Sequence, residues 1–269
     1  MQDAKLVTAK LEVPFEASPA QVVDEMIKIA DVTEQDVVYD LGCGDGRIVI
    51  SAAKKTGCRG VGTDLDPRRV KQSRDNALKE GQSGRVAFLE QDLFKANLGE
   101  ATVVMLFLSP DVNLRLRPRL LDELKPGSRV VSHWHTMDDW VPEKSLRVNW
   151  RNLHFWIIPA KVEGTWEWEA DLGEGPQKFT MALKQLYQMV SGSISSPGDR
   201  KGIRKGKLKG PTLTFSVGKK AEQRYQGTVS EAGIKGVIKT RSGGLIQWEA
   251  SKIEPGGKAA LAKHQHASE

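Results

Sequence analysis

Three glycines at alternate positions, in Asp40-Leu41-Gly42-Cys43-Gly44-Asp45-Gly46-Arg47, form the stretch of this chain whose spacing points most directly to ligand chemistry. Without Cβ atoms, the backbone there can approach a bound group closely. The loop follows the apolar run from Asp36 to Leu41, which reads as a strand. It precedes Arg47 to Lys55, where Ile48, Ile50, Ala52 and Ala53 are available for packing on a helix. A strand-loop-helix crossing at the carboxyl edge of a parallel sheet is where such folds bind nucleotides. A competing reading is the G-x-G-x-x-G fingerprint for nicotinamide dinucleotides. That register needs Gly or Ala at position 47, where this chain has Arg47. Asp40 would also face the negative pyrophosphate, whereas a carboxylate there suits a ligand with ammonium and sulfonium charges.

Two further acids stand where an adenosine would need them. Asp64 ends the strand Gly60 to Asp64, 18 residues after Gly46, where a carboxylate accepts from ribose hydroxyls. Leu65 follows it and is placed to cover one adenine face. Asp92 closes the strand Val86 to Gln91 and is expected to accept from the adenine amino group, with Leu93 beside it. A lone strand-end Asp is often only a helix cap. In this order, Asp40, Gly42, Gly44, Asp64, Leu65, Asp92 and Leu93 predict a site for S-adenosylmethionine.

On these residues the chain resembles the class I methyltransferases. More narrowly, it is similar to bacterial relatives of the ATP synthase c-subunit lysine methyltransferase family. The matching strings are Val13-Pro14-Phe15-Glu16-Ala17-Ser18-Pro19, Asp40 through Ile50, and Leu120 through His133. The resemblance covers residues 14–142, about half the chain. It implies an α/β fold with a Rossmann-like seven-stranded methyltransferase sheet and the cofactor roles above, and it motivates the expectation of a protein lysine as acceptor. Cys43 stands where the family usually has Ser. The chain beyond Ile158 lies outside the eukaryotic members, so the resemblance does not carry their substrate across.

Methyl transfer is an in-line displacement at a carbon already activated, so positioning and desolvation can supply most of the catalysis. The segment Leu108-Ser109-Pro110-Asp111 departs from the Asp/Asn-Pro-Pro-aromatic loop of many amino-group methyltransferases. This argues against nucleic-acid bases and glutamine amides as acceptors. Around the expected mouth stand Phe15, Glu16, Ser109, Asn113, His133, Trp134 and His135, with Glu16, Ser109 and His133 the catalytic candidates. Trp134, Trp140, Trp150 and Trp156 read as core or interface packing. Two alternatives stay open: a small-molecule methyltransferase, and a cofactor-binding module whose basic β domain recognises an anionic partner.

The elements that must position these residues alternate in type, as in a mainly parallel α/β sheet. Ser18 reads as an N-cap, with Pro19 at the first helical position and Gln21 closing a capping box. Asp66-Pro67 starts a helix to about Glu80, and Leu114 to Leu124 forms another. Thr102 to Leu108 and Arg129 to Ser132 are strands, and Leu146 to Val148 with Leu153 to Ile158 closes the sheet as a hairpin. Residues 1–158 are expected to be the methyltransferase domain. Residues 159–253 form a second, smaller antiparallel β domain of meander or barrel type, with strands at 164–170, 178–188, 190–195, 206–209, 212–217, 224–229, 233–240 and 245–250. Residues 254–269 read as a disordered tail that includes His264 and His266.

The 269 residues are 39% hydrophobic and 28% charged, and no run approaches the ~18–20 apolar residues of a membrane helix. Cys43 and Cys58 make neither a disulfide framework nor a metal pattern and are expected to pack. The start lacks an apolar signal segment, which predicts a cytoplasmic protein; the alternative is an exported one whose signal has been removed. Between Asp199 and Arg241 stand twelve Lys or Arg against three acids. A solvated outer face of strands is the simpler account, and a field for an anionic partner is the other.

Overall fold

The computed structural model describes residues 16–173, 175–218 and 223–253. Phe15 and the whole tail, with His264 and His266, lie outside the described residues. The chain divides into two compact units, Met1–Ile158 and Pro159–Glu269.

In the first unit, α1 (Ala20–Ile29), β1 (Val37–Leu41), α2 (Arg47–Thr56), β2 (Arg59–Asp64), α3 (Pro67–Lys79) and β3 (Val86–Glu90) are followed by a 3-10 turn at Leu93–Lys95. Then come β4 (Val103–Leu106), α4 (Pro110–Glu123), β5 (Arg129–His133), β6 (Lys144–Val148) and β7 (Arg151–Ile157). The seven strands lie in the order β3-β2-β1-β4-β5-β7-β6. β1 to β5 run parallel, while β7 is antiparallel to both β5 and β6. Every residue of β1 and β4 is buried, as expected for parallel strands covered on both faces. β1 and β4 are neighbours although β2 and β3 lie between them in sequence. The crossovers therefore diverge at this point and leave a crevice outside the strands' carboxyl ends.

Three local expectations need correction. α1 starts at Ala20 with Pro19 in the cap position and no side-chain cap. Ser18 is not the N-cap, because its hydroxyl lies 2.9 Å from His133 Nδ1 instead. α4 begins at Pro110 rather than Leu114, with Ser109 as N-cap, since proline's fixed φ suits the first helical turn. Trp140 and Trp156 pack in the core at 5.6 Å between rings, but Trp134 and Trp150 do not, being 43% and 79% exposed. Asn149 and Trp150 both have positive φ, at 45° and 69°. They form the two-residue β6–β7 turn that a type I′ hairpin requires, which projects Trp150 outward.

The second unit comprises β8 (Gly164–Asp171), β9 (Pro176–Leu186), β10 (Met189–Ser196), β11 (Asp199–Lys209), β12 (Thr212–Val217), β13 (Gln223–Ser230), β14 (Gly233–Thr240) and β15 (Leu245–Ile253). They close into an antiparallel barrel in which β8 pairs with β15 and β9 with β10. Eight strands enclose a space that side chains can fill. Here Trp168, Phe179, Phe215, Tyr225 and Trp248 stack in the middle. β9 ends at Leu186 rather than Gln188. β11 extends to Asp199, well before the expected Gly206, because pairing with β10 and β12 holds a segment whose residues are almost all exposed. Cys43 and Cys58 are both buried and free. Among the described residues no helix is long and apolar enough to cross a membrane.

Candidate active site

β1 carries Asp40 to the crevice, and the chain then turns through Gly42, Gly44 and Gly46 at φ 83°, 54° and 78°. The turn is pinned to β2. The amides of Gly42 and Cys43 both donate to Thr63 O at 2.8 Å, and the Gly44 amide donates to Asp64 Oδ2 at 2.9 Å. The other Asp64 oxygen accepts from the Asp66 amide at 2.9 Å. A second frame, which sequence reasoning did not single out, holds the loop's far side. Arg47 Nε donates to Asp45 Oδ1 at 2.9 Å, its Nη2 donates to Asp45 Oδ2 at 2.6 Å, and its Nη1 reaches Ser18 O at 3.0 Å. Asn76 Nδ2 donates to Asp45 O at 2.9 Å. In the sequence Arg47 stands out as a helix start and as a mismatch to the dinucleotide pattern, not as this clamp.

Four buried side-chain polar atoms at this edge, among the described residues, lack a hydrogen-bond partner: Asp40 Oδ2, Thr63 Oγ1, Asn113 Oδ1 and His133 Nε2. Such atoms are few in folded proteins, and each costs free energy. Their gathering at the strand ends marks where a ligand belongs. Asp40 is 2% exposed. Burial pushes its carboxyl up to about 8, and the negative charges of Asp64 and Asp45 add to the effect. A cationic ligand relieves that unfavourable state directly. Burial works the same way on Asp45, yet the hydrogen bonds and charge of Arg47 outweigh it and keep that carboxyl below its usual range.

Around this floor the other expected residues take separate places. Leu65 sits at the end of β2, 36% exposed. Asp92 caps the 3-10 turn, its Oδ1 accepting from the Phe94 amide at 2.9 Å, and Leu93 begins the turn. Arg119 secures this turn from α4, donating to the carbonyls of Phe94 and Ala96; it too was missed, for these carbonyls are more than 20 residues away. Asn113 Nδ2 donates to Ser132 Oγ at 3.1 Å. His133 ends β5 fully buried, its ring 3.9 Å from that of Phe107. Burial, helped by the charge of Arg151, pushes its imidazolium down to about 4, so the ring is neutral at pH 7. Glu16 pairs with Arg151 at 3.2 Å on the rim, and the same guanidinium lies over the Trp134 ring. Trp134 itself holds φ 78°. Ser109 caps α4 by its backbone conformation, without a side-chain bond. Burial also lowers the His135 imidazolium.

Residues 40–144 match the ANTKMT methyltransferase domain family. A protein-lysine N-methyltransferase of Saccharolobus islandicus (strain REY15A) is 42% identical over 143 residues, 53% of this chain and 89% of that protein. The ATP synthase c-subunit lysine N-methyltransferase of Homo sapiens is 30% identical over 169 residues, 63% of this chain and 66% of its own length. Among solved structures, an RNA methyltransferase from Salinibacter ruber in complex with S-adenosyl-L-homocysteine is 48% identical. It superposes with a TM-score of 0.54, over 55% of this chain and 96% of that one.

Proposed function

We propose a protein lysine as the methyl acceptor, from the premise that this chain belongs to the class I S-adenosylmethionine-dependent methyltransferases, in the family of the protein-lysine N-methyltransferases. The residues at the crevice fit the donor. The orphaned, buried Asp40 oxygen faces a glycine loop and suits the donor's cationic end. Gly42 and Gly44 let the backbone approach. Asp64 still has lone pairs for ribose hydroxyls after accepting two amides. Leu65 and Leu93 suit the adenine faces, and the second oxygen of Asp92 its amino group. When bound, the donor supplies a methyl group already activated by sulfonium.

The observation that carries the acceptor reading is the open rim. Trp134 and Trp150 project at the carboxyl edge beside the exposed Glu16 and beneath Arg151 and Arg147. Protruding aromatic and arginine side chains suit docking of another protein's surface, whereas a small metabolite would call for enclosure. Glu16 places a carboxylate on the rim that would accept an incoming ammonium by exchanging its pairing with Arg151. His133, kept neutral, adds no positive charge against it, and the Ser18–His133 contact orients the ring. The 42% identical relative, named for lysine methylation, supports the same reading. Incubating the purified chain with labelled donor and host lysate is expected to put label on lysine side chains, read by peptide mass spectrometry. Label found only in small molecules would sink the lysine assignment in favour of a metabolite acceptor.

Asp64→Ala is expected to weaken donor binding by roughly 1–3 kcal/mol through lost charge-assisted hydrogen bonds. It also releases the Gly44 and Asp66 amides, so the loss should lie at the upper end. Calorimetric titration checks this, and unchanged affinity would remove the ribose role.

A further inference from the structure

Asp40, Asp64 and Asp92 suit the amino, ribose and adenine parts of the donor, but its amino-acid end also carries a carboxylate, which these acids repel. The amides of Gly42, Cys43, Gly44 and Gly46 are already spent on Thr63, Asp64 and Cys43, so the glycine loop offers little to an anion. The neighbouring strands offer more. Val38 of β1, Met105 of β4 and Val131 of β5 share one core cluster on one face of the sheet, and side chains alternate along a strand. Asp40, Phe107 and His133, each two residues further on, therefore emerge on that face at the carboxyl edge. The 3.9 Å between the Phe107 and His133 rings agrees with this. Asp40 is level with Met105, and Met105 with Val131. Strand spacing and rise then put the Asp40 and His133 Cα atoms roughly 12 Å apart. Two side chains with the charged end of an amino acid between them can span that gap.

We propose that His133 Nε2–H binds the carboxylate of S-adenosylmethionine, opposite Asp40 at its ammonium, with Ser18 as the positioning residue. This rests on the donor reading, deepens it, and holds whichever acceptor is correct. The tautomer follows from Ser18. Its hydroxyl is buried, lies 2.9 Å from His133 Nδ1 and makes no other bond among the described residues. A buried hydroxyl donates where it can, so its hydrogen goes to Nδ1 and the ring's own hydrogen sits on Nε2. That N–H is wholly buried and unpartnered, a cost that an anionic oxygen removes. The charges around it have the matching sign. Burial first, and then the positive charge of Arg151, keep the ring neutral, with Glu16 opposing Arg151 and His135 adding to it. Around Asp40 the neighbouring charges, Asp64 and Asp45, are negative. Two ends of opposite potential orient a zwitterion, its ammonium towards β1 and its carboxylate towards β5. Ser18 is itself held in place, because its carbonyl accepts from Arg47 Nη1 at 3.0 Å.

The test is calorimetric titration of the full chain with S-adenosylmethionine and with its decarboxylated analogue, which keeps the sulfonium and the amino group. The unmodified chain should prefer the carboxylated donor about tenfold or more, the effect of one hydrogen bond to a charged group. His133→Phe should cut that preference to about twofold or less, while His133→Gln, which keeps an N–H near the same point, should retain most of it. Ser18→Ala frees the tautomer and should give an intermediate ratio. A second readout needs no variant. Nitrogen-15 spectra of histidine-labelled protein should show the His133 hydrogen on Nε2, with a signal that moves on adding S-adenosylmethionine but not the analogue. Equal affinities of the unmodified chain for the two ligands would overturn the assignment. So would a preference that survives His133→Phe in a variant with unchanged melting behaviour. If that variant does not fold, an Nε2 signal indifferent to the carboxylate would overturn it instead. Failure of both ligands to bind the unmodified chain would overturn the donor reading, and this inference with it.

Discussion

Asp40→Asn is expected to weaken S-adenosylmethionine binding about a hundredfold or more at pH 8, because it removes a buried carboxylate from a cationic ligand. The same group predicts how the unmodified protein responds to pH. In the donor-free fold the Asp40 carboxyl sits at about 8, against an ordinary value of 3.8. A proton therefore has to leave before the cation can pair. Affinity should rise between pH 6 and 8 by roughly 50-fold, with proton uptake by the buffer on binding. Above that range the donor's own amino group loses its charge and the gain stops. The stability of the donor-free protein moves in the opposite direction. Below 3.8 the carboxyl is protonated in both folded and unfolded chains. As pH rises from there through 8, the unfolded chain loses its proton more readily, so this group's contribution to stability declines and then levels off. Titration calorimetry in buffers of different ionisation enthalpy reads the proton. Affinity that stays flat from pH 6 to 8, or an Asn variant that keeps the rise, would refute Asp40 as the partner of the cation.

Gly46→Ala should cost the first unit about 2–5 kcal/mol, for two separable reasons. The position holds φ 78°, and a Cβ built there would lie 2.7 Å from two ring carbons of Phe88 and 2.8 Å from Ser73 Cβ. Left-handed backbone costs alanine about 1–2 kcal/mol, and crowding in a packed core adds about 1–3. Both neighbours are buried, Ser73 in α3 and Phe88 in β3, so neither can swing away into solvent. Gly81 offers the comparison, with φ 68° and nothing within 4 Å of its missing Cβ. Gly81→Ala should show the backbone cost alone. Denaturant unfolding of the two variants measures the difference; equal losses would mean that the Phe88–Ser73 packing yields without penalty.

The Gly46 contrast shows why the glycine loop was readable from sequence and its consequences were not. That three alternate residues must lack side chains is written in the chain, together with the strand before them and the helix after. What fills the space where a Cβ would stand comes from α3 and β3. The same division runs through the rim. Glu16, Ser109 and His133 were identifiable as strand-end or loop residues near the carboxyl edge. Only the fold put the Ser18 hydroxyl on His133 rather than on the first turn of α1, because a histidine 115 residues away competes with a local amide. Arg47 and Arg119 divide the same way: their pairs with Asp45 and Glu123 are local, but the reach of Arg47 to the Ser18 carbonyl and of Arg119 to those of Phe94 and Ala96 is set by tertiary approach.

Sequence alone determined what depends on neighbours along the chain. This covers the glycine loop with its leading carboxylate, the strand-end acids Asp64 and Asp92, the alternation of strand and helix, and the change to short β segments after Ile158. Tertiary structure decided what depends on residues distant in sequence. It buried Asp40 beside two other carboxylates and so raised its pKa, and it left four polar atoms unpartnered at one edge. In the barrel it set the register that aligns Arg224 with Lys239. A charge count sees twelve cations between Asp199 and Arg241, but charge acts through distance. Strand pairing, with a bulge at Lys205, fixed which of them stand together.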